Sequence, residues 1–311
     1  MTTVRTVAQL RTGLAAARRA GATVGFVPTM GALHDGHVSL LRRARLNCDV
    51  VVMSIFVNPT QFNDGADLAG YPRDERRDAE IAADAGVDIL FAPSVEDVYP
   101  TGFATRVSVA GLTDTLEGAH RGAAHFDGVT TVVTKLLNMV APDIAYFGQK
   151  DAQQALVVKR LVRDLDLPVR IEVCPTVRDA DGLALSSRNA RLAPDERARA
   201  IALSRALAAA REVIAAGERN PAAIVAAARA ELLCEGVEPE YLELLAPETL
   251  SPLRNVIGVD EVLVAVAAQI GPVRLIDNTL IRLPAGSPGQ HPQFNGSSAE
   301  TIGALIANGG K

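Results

Sequence analysis

Strand-like and helical segments alternate along most of the first 177 residues, and no other feature narrows the possible folds as much. The run "DVVVMSIFV" (49–57) is dense in β-branched residues with no polar alternation, the pattern of a strand covered on both faces. Further strands are expected at "TVGFVPT" (23–29), "DILFAP" (88–93), "IAYFG" (144–148) and "VRIEVCPTV" (169–177). Helical periodicity fills the intervals, over residues 4–20, 37–47, 74–85, 127–140 and 152–165. Alternation of this kind implies an α/β fold, a Rossmann-like doubly wound parallel sheet. Ligands of such sheets sit at the carboxyl ends of the strands, where the unusual residues of this chain cluster.

After "DADGLALSSRNARLAPDE" the composition shifts. Residues 195–235 are rich in Ala, Arg and Glu and read as two helices around "AGERNPA"; three strand-like runs follow at 241–246, 261–270 and 273–281. The "GP" between the last two favours a hairpin. The expected division is 1–185, Rossmann-like and carrying the ligand site; 186–283, a smaller α+β domain; and 284–311, a Gly-, Ser- and Pro-rich tail expected to be disordered.

A formal charge of −5 and a pI near 5.6 argue against generic nucleic-acid binding, though not against a local pocket for an anion. Cys48, Cys174 and Cys234 are odd in number and far apart, so neither a disulfide framework nor a cysteine zinc site is indicated. No signal-peptide pattern and no membrane-length apolar run is present, and the expected location is the cytoplasm, with no membrane partner.

Four short stretches carry the chemistry. In "FVPTMGALHDGH" a strand ends, Gly31 allows a tight turn and a helix begins near Gly36, which puts His34 and His37 at a helix N-terminus, where N–H groups and the dipole favour anions. As metal ligands the two would be an incomplete shell with no third member nearby. "FVNPTQF" (56–62) offers the amides of Asn58 and Gln61 for hydroxyl or carboxylate recognition, or an ordinary Asn-Pro turn. "YFGQKDAQQ" (146–154) places Lys150 beside Gly148; Asp151 there could be no more than a helix N-cap. "DGLALSSRN" (181–189) holds two hydroxyls and an arginine, as a plain linker or as a loop that closes over phosphates. "LEGAHRGAAHFDGV" (116–129) reads as a flexible lid or a surface loop.

Together, in this order and spacing, these stretches resemble the pantothenate synthetase (pantoate–β-alanine ligase) family over about residues 20–282. "HDGH" is similar to the HxGH signature of the nucleotidyltransferase superfamily and "LSSRN" to that family's version of the KMSKS loop. The resemblance implies an ATP-dependent ligase that forms pantoyl adenylate and then pantothenate. Met30, Gly31, Ala32, Leu33, His34, Asp35, Gly36 and His37 would line the ATP site, with both histidines on the phosphates and His37 the candidate acid. Gly148, Gln149, Lys150 and Asp151 would meet ribose and phosphates, Val177 the adenine, and Leu185, Ser186, Ser187 and Arg188 the triphosphate. Gln61 and Gln154 would hold pantoate, with Asn58 a further catalytic contributor. Mg2+ would accompany ATP through phosphate oxygens and water, with no protein ligand assigned, and the chain would form a homodimer.

Three departures stand out, one being that the tail from about residue 284 lies beyond the resemblance and is assigned no function. Gln149 replaces the family's usual glutamate beside the lysine, at a position expected to face away from phosphate. "RGAAHF" lacks the proline of R-P-x-H-F, which leaves the roles of Arg121 and His125 open. The alternatives are a related nucleotidyltransferase with another acceptor and a non-catalytic nucleotide-binding module; the intact histidines, Lys150 and Arg188 count against the second.

Overall fold

The computed structural model describes residues 1–62 and 65–283, apart from the side chains of Ala66 and Asp67; the tail expected at 284–311 lies outside the described residues. Six strands, β1 (Thr2–Val4), β2 (Val24–Thr29), β3 (Val50–Ile55), β4 (Ile89–Phe91), β5 (Ile144–Gly148) and β6 (Arg170–Cys174), form one sheet in the order β1-β4-β3-β2-β5-β6. Every pairing is parallel. The connections carry α1 (Val7–Arg19), α2 (Asp35–Asn47), α3 (Gly65–Ala69), α4 (Glu75–Asp84), α5 (Val95–Val98), α6 (Glu117–Arg121), α7 (Ala123–Val140) and α8 (Ala152–Asp164).

The direction of winding reverses between β2 and β5, and a crevice forms at such a point. These two strands pair only at Gly25 with Ile144 and Phe26 with Ala145, so their carboxyl ends part. That gap is the floor of the candidate site.

Three expectations need correction. The helix expected over 4–20 begins at Val7, because Thr6 and Gln9 form a capping box. Val4 instead buries as the last residue of β1 beside β4. Residues 116–129 are not a loop but α6 and the start of α7. Residues 195–235 hold three helices, α9 (Pro194–Ala200), α10 (Ala202–Ala215) and α11 (Pro221–Cys234), not two, the first pair breaking at Ile201.

The second sheet is antiparallel, β7 (Pro239–Leu245), β8 (Glu261–Ile270) and β9 (Val273–Arg282), in that order, with Gly271 at the β8–β9 hairpin. The central run "EVLVAVAAQI" lacks polar alternation because both its faces are covered. Val262, Val264 and Val266 pack in one cluster with Leu203, Leu207, Ile224 and Leu232 of α10 and α11. Leu263 and Ala265, with Leu245 of β7, join the core around α7, α8 and the parallel sheet.

Candidate active site

The turn after β2 is shaped by a carboxylate 45 residues away. Gly31 at φ +83° and Ala32 at φ +52° are both left-handed, and the N–H groups of Ala32 and Leu33 each donate to the buried Asp78 carboxylate of α4 at 2.8 Å. A Cβ on residue 31 would lie 2.8 Å from that carboxylate, so glycine answers both the backbone angle and the crowding. Asp78→Ala would leave two donors unpaired, at about 1–3 kcal/mol each. Urea unfolding should show a loss of about 2–6 kcal/mol; an unchanged midpoint would mean the turn supports itself.

The turn delivers His34 as the N-cap of α2. Its Nδ1 accepts from the Gly36 N–H at 3.1 Å, and Nδ1 of His37 accepts, at a longer 3.4 Å, from the His34 N–H. The two rings stand 4.2 Å apart. An Nδ1 that accepts leaves the proton on Nε2, so both rings are neutral donors through Nε2. Burial, then the nearby Lys150 charge, lower the His34 pKa; burial, then His34, push that of His37 down to about 3. His37 is therefore a neutral hydrogen-bond donor rather than a charged acid. NMR of the ring nitrogens should find it in the Nε2–H form with no titration between about pH 5 and 8. A midpoint near 6.5 would contradict this assignment.

At the end of β3, Asn58 is buried and its carboxamide is fully engaged. Nδ2 donates to the Gly128 carbonyl and to Gln61 Oε1, each at 3.1 Å, while Oδ1 accepts from Tyr99 Oη and Thr60 Oγ1, each at 2.9 Å. Gln61 Nε2 donates to Met30 Sδ at 3.0 Å, and its carbonyl accepts from His125 Nδ1 at 2.7 Å. His125 thus steadies the Gln61 main chain, and Arg121 bonds Glu117 through Nε at 3.1 Å. Gly122 between α6 and α7 stands at φ +80°, closed to proline, whose ring fixes φ near about −65°.

After β5, Lys150 stands in a single 3-10 turn with its Nζ 3.6 Å from Asp151. Adjacent glutamines on α8 then diverge. Gln154 faces the cleft, whereas buried Gln153 donates to the Leu112 and Thr115 carbonyls and accepts from the Glu117 N–H. From the far side, the Leu185 N–H bonds the Val177 carbonyl at 3.0 Å, and Ser186 caps a 3-10 turn over Ser187–Arg191 by accepting from the Arg188 N–H.

These segments enclose a cleft of about 240 Å³. Of the residues expected from sequence, Met30, His34, Gly36, His37, Asn58, Gln61, Gly148, Lys150, Asp151, Gln154, Val177, Leu185, Ser186, Ser187 and Arg188 line it together. Gly31, Ala32 and Leu33 do not, their turn facing Asp78; Asp35 is exposed on α2; Gln149 turns away to bond Asn278 of β9 at 3.0 Å. A second cavity of about 160 Å³ adjoins it, sharing Met30, Gln61, Lys150, Gln154 and Arg188 and continuing to Arg121, Tyr241 and Arg274.

Under that second cavity, the buried Glu117 receives both terminal nitrogens of Arg274, at 2.7 and 2.8 Å, and the Tyr241 hydroxyl at 3.0 Å. Burial alone would raise the Glu117 pKa, but bonds and charge from Arg274, then Arg121, outweigh it and hold it down to about 2. Sequence reasoning missed Asp78, Tyr71, Glu117, Arg274 and Asn278. Of these, only Tyr71, a cleft-lining ring hydrogen-bonded to Ser187, faces the first cavity.

The Pantoate-beta-alanine ligase family model matches residues 2–280. The chain is 53% identical to the pantothenate synthetase of Moorella thermoacetica over 284 residues, covering 91% of this chain and 99% of that one. It is 56% identical to that of Cereibacter sphaeroides over 276 residues, or 88% and 98%. The crystal structure of pantothenate synthetase from Thermus thermophilus superposes with a TM-score of 0.85 at 50% identity, covering 90% of this chain and 99% of that one. The pantoate-beta-alanine ligase of Francisella tularensis, crystallised with beta-gamma ATP and beta-alanine, gives 0.72 at 36% identity, covering 90% and 97%. Matches spanning nearly the whole of both partners admit one conclusion: the chain belongs to the pantoate-beta-alanine ligase family.

Proposed function

We infer that the cleft between β2 and β5 is where this ligase joins pantoate to β-alanine with ATP. The pantoate carboxylate attacks the α-phosphorus of ATP, giving pantoyl adenylate and pyrophosphate. The β-alanine amine then attacks the acyl carbon, and AMP leaves with the C–O bond electrons. A carboxylate acylates poorly until it carries such a leaving group, and no enzyme nucleophile is needed. Catalysis then consists of positioning and of stabilising phosphoryl charge.

The observation that carries this reading is the convergence on one cleft of His34, His37, Lys150 and Arg188, facing the amides of Gln61 and Gln154. We assign Lys150 to the α-phosphate, the histidine Nε2–H groups and Ser186, Ser187 and Arg188 to the triphosphate, and Gly148 and Val177 to the nucleoside. Gln61 and Gln154 hold pantoate. Asn58, its amide already satisfied by protein partners, acts by aiming Gln61. The ligands carried by the Francisella tularensis relative, at 36% identity, support ATP and β-alanine as the substrates here.

Magnesium belongs to this scheme as part of the nucleotide substrate. Among the described residues no group of three or more His, Cys, Asp or Glu could hold a metal, and Asp151 is the one carboxylate lining the main cleft. That donor set fits an ion held chiefly by phosphate oxygens and water.

No helix among the described residues is long and apolar enough to cross a membrane, and Cys48, Cys174 and Cys234 are free thiols. Both observations support a cytoplasmic location, which cell fractionation would test. A homodimer, implied by the family resemblance, is testable by sedimentation velocity. We place the domain division near residue 185, since Leu183 packs in one cluster with buried residues of α9, α10, α11 and one face of the three-stranded sheet, although the other face of that sheet joins the first core.

The deciding experiment is pyrophosphate–ATP isotope exchange. Exchange that requires pantoate but not β-alanine is expected; exchange indifferent to pantoate would overturn the reading.

A further inference from the structure

The 3-10 turn that carries Lys150 has no side-chain cap of its own: Gly148 precedes it and Asp151 makes no capping bond to α8. What holds it comes from the other sheet. Asn278 of β9, 5% exposed, donates from Nδ2 to the Gln149 carbonyl at 3.0 Å and to the Lys150 carbonyl at 2.8 Å. Its Oδ1 accepts from Gln149 Nε2 at 3.0 Å, and its own N–H is bound by Asp277 Oδ1 at 2.8 Å. A carboxamide has two N–H donors, and both are spent on consecutive carbonyls of this one turn. Asp277, just before it, is also buried and receives Arg178 through two bonds, at 2.6 and 2.9 Å. Arg178 in turn donates to the Gly182 carbonyl, four residues before Ser186. Neighbouring residues of one strand thus tie down the segments bearing Lys150 and Ser186–Arg188.

We propose that Asn278 is a positioning residue for Lys150, fixing the two peptide groups that flank the Lys150 Cα so that the ammonium group meets the α-phosphate. The proposal rests on the assignment of Lys150 above. Both donors and the acceptor of the Asn278 carboxamide are engaged by Gln149 and Lys150, so it acts through the path of the backbone. Displacing a reacting group by about 1 Å can cost on the order of 100-fold in rate, which is the scale to expect when the clamp is lost. The glutamine at 149 fits this role, since its amide N–H₂ returns a bond to Asn278 Oδ1 that a carboxylate at that position could not donate.

The test is a double-mutant cycle on the full chain, read as the maximum rate of pantoate-dependent pyrophosphate–ATP exchange. Asn278→Ala should lower that rate about 10- to 100-fold, with the pantoate KM within about twofold of wild type and an unchanged circular dichroism spectrum. In a Lys150→Ala background the same change should cost less than about twofold, because residues acting as one unit are not additive. A full-sized second loss there, or a near-normal rate for Asn278→Ala alone, would overturn the proposal while leaving Lys150 in its role. A near-normal rate for Lys150→Ala would remove that role, and the proposal with it. Should Asn278→Ala fail to fold, Asn278→Asp, which keeps the size and removes both donors, enters the same cycle with the same outcomes.

Discussion

Lys150→Ala and His37→Ala should each slow adenylate formation by at least about 100-fold while the fold survives. The reasoning differs for the two. The only ion pair described for Lys150 is with Asp151 at 3.6 Å, a half-exposed residue, so removing the ammonium group loses little stability. It does take away the point charge expected at the α-phosphate, where negative charge builds up during attack. His37 contributes one long bond to the α2 cap and otherwise presents a neutral Nε2–H to the cleft. Losing that donor should lower the exchange rate without a comparable loss of stability. Both variants should keep the wild-type circular dichroism spectrum, and stopped-flow or exchange assays would give the rates. A near-normal rate in either would show that residue to be misassigned.

Arg274→Ala should be the most damaging substitution for stability, by about 3–5 kcal/mol, since it strands a carboxylate buried at the junction of the two sheets. Glu117 would keep Arg121 and Tyr241 but lose its two-pronged partner. Glu117→Gln should cost less, because Arg274 keeps its ion pair with Glu240 and the amide oxygen of glutamine can still accept from it. The pH dependence has a definite sign. The folded pKa of about 2 lies below the ordinary value of 4.5, so the stabilisation is fully present above pH 4.5 and is lost as pH falls through about 2. Its size is on the order of 3 kcal/mol. Urea titrations of wild type and Glu117→Gln across that window should converge as the pH drops. Parallel curves would show that the ion pair contributes nothing to the fold.

The strands of the main sheet were legible because unbroken β-branched runs can hide only in a covered parallel sheet, and the histidine pair because a glycine turn and a helix start adjoin it. β1 was not legible. Three residues are too short for a pattern, and Thr3–Val4 runs without a break into the helical period of α1. The loop conformation expected at 116–129 failed for a different reason. Its glycines suggest a loop, but the acceptors and donors that fix it as helix, Gln153, Tyr241 and Arg274, lie 36 to 157 residues further on. Asp78 and Asn278 show the same limit. Each reads locally as an ordinary polar residue of a helix or strand, and each matters only through a turn about 45 or 128 residues away. Sequence located most of the polar groups that line the cleft; their supports are contacts that exist only after folding.

The three-stranded sheet has apolar side chains of two different cores against its two faces, Val262, Val264 and Val266 on one and Leu245, Leu263 and Ala265 on the other. Neither half of the molecule therefore owns it. Peeling the C-terminal part away would wet one of those faces whichever half kept the sheet, and would break the Glu117–Arg274 and Arg178–Asp277 pairs in the same motion. A minimal enzyme made by cutting the chain near residue 185 would expose one of those apolar faces to water. Heat or denaturant has no stable half to stop at, and the two parts should melt as one.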